Sequence, residues 1–238
     1  MNNQFENPMP ARTLVSHLAN EERVAFYKKT YTHVAGGVLA FIFFEYLLLQ
    51  SETIVNFALS MTEGYLWLVM LGGFMLITNY AESMALRTTD KNKQYIAYGI
   101  YILAEAFIFV PMIYIAASYM DAGNEILQQA AIVTLALFAG LSAVVFVTKK
   151  DFSFLKTGLT IGFFIALGLI IAGTIFGFNM GLWFSVGMCL LAGGSILYQT
   201  SNLVHKYSEE EYIPAALGLF ASLMLLFWYI LRIFMSRD

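Results

Sequence analysis

Charge is scarce in this chain of 238 residues. Aspartate, glutamate, lysine and arginine make up 12% of it, about half of the roughly 25% usual in soluble domains. A single cysteine, Cys189, rules out an intramolecular disulfide. The four aspartates (Asp90, Asp121, Asp151 and Asp238) all fall outside the long apolar stretches, so an intramembrane aspartyl protease would lack its two embedded acids. The three histidines (His17, His33 and His205) lie at one end of those stretches or before them. Ser142 and Ser195, which closely follow glycines, are thus left without a base for nucleophilic chemistry. No His-Glu-x-x-His zinc motif occurs. The last apolar stretch has no lysine on which retinal could form a Schiff base. These absences argue against an enzyme and against any cofactor, and a net charge of −3 offers nothing to nucleic acid.

Apolar residues are abundant, at 59% of the chain with a mean hydropathy of +0.69. They gather in seven stretches, at roughly 30–49, 65–86, 95–120, 128–148, 155–178, 181–202 and 211–234. About 20 mostly apolar residues carry a helix across the hydrocarbon core. Backbone amides must pair internally in lipid, so the stretches are expected to be helices. The expected fold is an all-α polytopic membrane protein of seven transmembrane helices. A polar arm, residues 1–29, precedes a membrane domain, residues 30–238. The arm lacks the order of a signal peptide. Its apolar residues Leu14, Val15 and Leu18 suit a segment lying on the bilayer or touching a partner.

Lysine and arginine are segregated. The arm and every second loop carry eleven of them, from Arg12 to Lys206, and only Arg232 and Arg237 lie on the other side. The positive-inside rule then places the amino terminus in the cytoplasm and the carboxyl terminus outside. The short arm and compact loops suit a bacterial inner membrane.

Small residues mark faces for close helix packing: Gly36 with Ala40, Gly72 with Gly73, Gly158 with Gly162, Gly193 with Gly194, and Gly218 with Ser222. Ala215, Ala216, Gly218, Ala221 and Ser222 make span seven thin enough for the centre of a bundle. Pro111 is expected to kink span three.

Three glutamates lie within spans, where ionisable groups are costly and usually functional. Glu45, near the outer end of span one, is expected to snorkel to the interface. Glu82 lies near the inner end of span two, five residues before Arg87. Glu105 lies near the midplane of span three, with Tyr98 and Tyr101 as candidate hydrogen-bond donors. Two readings remain open for it: a hydrogen-bonded structural acid, or a cation- or proton-binding site. The run Tyr198, Gln199, Thr200, Ser201 and Asn202 either lines a cytoplasmic vestibule or ends a helix in water.

Three sets of segments stand out. Phe26-Tyr27-Lys28-Lys29-Thr30-Tyr31-Thr32-His33 before Gly36-Gly37 leads into span one, and Lys149-Lys150-Asp151-Phe152-Ser153-Phe154-Leu155 forms the loop before span five. Ile196-Leu197-Tyr198, Glu211-Tyr212-Ile213-Pro214-Ala215-Ala216-Leu217 and Ile230-Leu231-Arg232 mark the last two spans. Together they resemble the corresponding segments of the Bax inhibitor-1 (transmembrane Bax inhibitor motif) family. The resemblance implies a bundle built around span seven and a pH-controlled calcium leak. In that scheme two aspartates on spans six and seven share a proton and pair with an arginine of span two. This chain has Gln199 and Ser222 at the aspartate positions, with Arg87 as the counterpart of the arginine. Gln199 and Ser222 are expected to hydrogen-bond each other, with Glu105 as a relocated acid. The sequence therefore points to a cation leak, for calcium or protons. The alternative is a non-transporting partner that modulates another membrane protein, such as a membrane-bound protease.

Overall fold

The computed structural model describes residues 13–119 and 123–236. The arm up to Arg12, residues 120–122 with Asp121 among them, and Arg237 with Asp238 lie outside the described residues. Eight helices follow one another: α1 (Asn20–Leu49), α2 (Glu52–Ser60), α3 (Leu66–Arg87), α4 (Lys91–Tyr119), α5 (Gly123–Thr148), α6 (Leu155–Phe176), α7 (Gly181–His205) and α8 (Tyr212–Met235). All but α2 are long and apolar enough to span a bilayer. These seven match the seven stretches of the sequence within a few residues, except that α1 begins ten residues before its apolar stretch. Glu22 caps that extension by accepting the Ala19 amide at 3.1 Å, which satisfies a donor the first turn leaves free.

α8 is the axis of the bundle and packs on α1, α3, α4, α5 and α7. Its buried residues include every position from Tyr212 to Phe220. α4 is as deeply enclosed, with 61% of its apolar window buried against 11% for α6. A helix that is apolar all round and lies mostly inside belongs in a core, whereas α6 turns most of its apolar surface to lipid. α4 continues through Pro111, which is itself buried.

The small residues divide between packing and lipid. A Cβ on Gly37 would strike the Tyr98 hydroxyl, and one on Gly218 would lie 3.0 Å from the Gln199 carboxamide. Gly162 and Gly194 likewise press on Leu191 and Leu159. Gly36, Gly72, Gly73 and Gly158 face open space, so those expected contacts do not form.

The arm also behaves differently from a surface-bound amphipathic segment. Val15 donates its amide to the Tyr207 carbonyl at 2.9 Å, and Leu14 pairs antiparallel with Ser208. Val15 is 0% exposed and belongs to the main core. Burying a valine side chain contributes about 1.5–3 kcal/mol. This strap ties the start of the described chain to the α7–α8 connection.

Candidate functional site

Polar side chains from four helices converge on one cavity of about 460 Å³. On α3, Thr78 and Glu82 share a face because four residues make about one turn. On α4, the same spacing aligns Tyr101 with Glu105. α7 contributes Ser195 and Gln199, and α8 contributes Gly218 and Ser222, both pairs again at i, i+4. Phe163, Ala166 and Ile170 of α6 form the remaining apolar side. Among the described residues, no lysine, arginine or histidine lines the cavity.

Glu105 is buried, at 5% exposure, and has no hydrogen bond among the described residues. Glu82 is exposed, on the side of the cavity nearer the arm. Tyr101 lies within electrostatic range of both carboxyl groups. Tyr98 does not reach Glu105, because two helical turns, about 10 Å, separate them. It donates instead to the His33 carbonyl at 3.0 Å and packs edge-on against Phe220, binding α1 to α4 and α8.

Gln199 and Ser222 both face the cavity without bonding each other. Ser222 donates to the Gly218 carbonyl at 2.9 Å. Its single hydrogen is thereby used, so Ser195 donates to it at 2.8 Å. The carboxamide of Gln199 instead packs against Gly218, its atoms 3.0–3.1 Å from where a Cβ would stand. A neutral serine pair thus joins α7 to α8 where the family resemblance implies an acidic one. Ser195, which the sequence offers only as a nucleophile without a base, is instead the partner of Ser222, and its spacing from Gln199 carries the signal.

Arg87, the last residue of α3, lies outside the cavity and lines a separate groove with Tyr80 and Lys93. Glu45 also departs from expectation. It is 4% exposed, and both its carboxyl oxygens are buried without a hydrogen-bond partner among the described residues. It follows Phe26, Thr30, Val34, Gly37 and Phe41 along the inner stripe of α1, which directs it into the bundle and prevents snorkelling. The polar run on α7 is divided in the same way. Gln199 reaches the cavity, while Thr200 is buried.

Ser201 fastens the α5–α6 loop to α7. It accepts the Phe152 amide at 2.9 Å and donates to the Asp151 carboxylate at 3.2 Å. Hydrogen bonds from Ser153, aided by Ser201, hold the Asp151 carboxyl below its usual range.

At the end of the cavity away from the arm, aromatic rings close in. Trp67 stacks on Trp228 at 6.2 Å, and Phe109 meets Trp228 edge-on at 4.9 Å.

A family model described as "Inhibitor of apoptosis-promoting Bax1" matches residues 23–238. The chain belongs to the Bax inhibitor-1 family. Mouse Protein lifeguard 4 is 29% identical over 214 residues, covering 88% of this chain and 84% of that protein. Modulator of FtsH protease YccA, from Escherichia coli K12, is 34% identical over 125 residues, or 51% of this chain and 57% of that one. The uncharacterized protein PA2604 of Pseudomonas aeruginosa is 39% identical over 113 residues. That match takes in 47% of this chain and spans half the length of the Pseudomonas protein. Bax inhibitor-1 family membership agrees with the seven spans and with a multi-pass membrane protein.

Proposed function

We propose that this protein is a cation leak of the Bax inhibitor-1 family, with calcium as the ion, using acids of α3 and α4 in place of aspartates on α7 and α8. The observation that carries the reading is the cavity lining: Glu82 and Glu105 with the oxygens of Gln199, Ser195 and Ser222, and no cationic side chain. Calcium takes 6–8 oxygen ligands, and a hydrated or partly hydrated ion draws the remainder from water. Arg87 stands outside this lining, and Gln199 and Ser222 do not titrate, so the shared-proton lock of the family is absent from its usual positions. The Trp67–Trp228–Phe109 cluster is the closed gate, and Tyr101 positions the two acids. The arm end faces the cytoplasm of a bacterial inner membrane.

Calcium uptake into liposomes containing the purified protein tests this. Glu105→Gln and Glu82→Gln are each expected to reduce protein-dependent flux at least tenfold, with unchanged thermal stability. Trp228→Ala is expected to raise it. Flux no greater than in empty liposomes for the native protein and for Trp228→Ala would refute a leak.

A second reading rests on the name of one relative, which modulates the FtsH protease. Under it the neutral Ser195–Ser222 contact is structural, and the protein acts by binding a membrane protease. Cross-linking in native membranes distinguishes the two, since stable capture of such a protease without flux selects modulation.

A further inference from the structure

We propose that an anionic phospholipid lies in a groove along α3, with its phosphate held by Arg87 and Lys93. α3 packs on α4 and α8, and α6 packs on α7, while among the described residues no substantial packing joins α3 to α6, although both line the cavity. The groove, of about 1090 Å³, runs along α3 and meets the cavity at Met75 and Asn79, which line both.

This groove changes character along its length. Gly72, Met75 and Leu76 make one end apolar, and Arg87 and Lys93 make the other cationic. Among the described residues, no carboxylate lines it. Neither cation has an ion pair or hydrogen bond among the described residues, so both charges are available. Leu76 and Arg87 are about three turns apart, or roughly 16 Å along the axis. That matches one leaflet's share, about 15 Å, of the hydrocarbon core.

An occupant that satisfies both ends has a phosphate at the interface and an acyl chain reaching inward. Free phosphate would occupy only the cationic end and leave the apolar end, where Leu76 is 75% exposed, to bulk acyl chains. A zwitterionic lipid brings its own cation to the phosphate and so competes with Arg87 and Lys93. An anionic phospholipid suffers neither loss, and each basic residue near the surface adds to its binding. Its chain runs inward along α3 toward Met75 and Asn79, where the groove meets the cavity.

The test is native mass spectrometry of the purified full-length protein in mild detergent, titrated with phosphatidylglycerol or phosphatidylcholine. Phosphatidylglycerol is expected to bind at least fivefold more tightly than phosphatidylcholine. Arg87→Gln/Lys93→Gln is expected to weaken it about tenfold. Lys149→Gln/Lys150→Gln, which removes two exposed cations from a different loop, is expected to leave it unchanged. All four residues are exposed, so both variants should melt like the native protein. Equal binding of the two lipids, or undiminished binding in the Arg87/Lys93 variant, would overturn the proposal. Equal weakening in both variants would reduce it to general charge attraction and overturn it as well. Displacement by glycerol phosphate as effective as by the lipid would make the ligand soluble phosphate, again against the proposal.

Discussion

Two adjacent glycines on α1 should respond in opposite ways to the same substitution. A Cβ on Gly37 would overlap the Tyr98 hydroxyl, approach Tyr98 Cζ to 2.8 Å and reach Phe220 Cδ2 at 3.2 Å. Phe220 is 0% exposed and has nowhere to go. Tyr98 must therefore move and release its bond to the His33 carbonyl. Overpacking of this kind costs about 1–3 kcal/mol, and the lost hydrogen bond adds about 1 kcal/mol. Gly37→Ala should thus destabilise the protein by about 2–4 kcal/mol. For a chain of this length that lowers Tm by about 5–12 °C. Gly36 has no atom within 4 Å of its would-be Cβ. Gly36→Ala should be neutral or slightly stabilising, because alanine favours the helix by up to about 1 kcal/mol. Thermal unfolding of the purified protein, followed by tryptophan fluorescence, reads both. The double variant Gly37→Ala/Tyr98→Phe should recover part of the loss, since removing the hydroxyl relieves the worst overlap. A Gly37→Ala melt within about 2 °C of the native one would refute the reasoning, as would an equal fall for Gly36→Ala.

Glu45 buries a carboxyl group whose oxygens have no hydrogen-bond partner among the described residues. Replacing it with methionine, which has a similar shape, should stabilise the protein by about 1–3 kcal/mol, and a lower Tm would argue against the assigned environment. Asp151 supplies a pH dependence. Its native carboxyl lies below the unfolded value of about 3.9, so its contribution is fully present above that value and lost as pH falls through the folded one. Exchange of the Phe152 amide, which bonds Ser201, should stay slow from pH 5 to pH 8 relative to its intrinsic rate. Ser201→Ala should abolish that protection throughout the range, and persistent protection would contradict the assignment.

The spans could be read from the sequence because hydrocarbon demands an unbroken apolar run. Residues 20–29 could not, since Glu21, Glu22, Arg23, Lys28 and Lys29 look like a solvated tail although they extend α1. α2 has only nine residues, too few to show as a span. The candidate acids stood out by their depth, and i, i+4 spacing already joined Tyr101 to Glu105. That Glu82, Glu105, Gln199 and Ser222 share a cavity depends on the order of the helices around α8, which no local spacing encodes. The pairing of Tyr98 with His33 and of Ser222 with Ser195 depends on the same arrangement. The inward course of Glu45 was visible in its stripe, since Phe41 and Gly37 precede it at helical intervals.

The strap gives the protein an order of assembly. Val15 precedes all seven spans in the chain, and Tyr207, its partner, follows six of them. During synthesis the valine has no seat until α7 and the start of α8 have emerged. A chain stopped within α7 would keep that segment loose, whereas one that includes Tyr207 is fastened across six spans. Closure of the strap therefore reports that those six spans have been made.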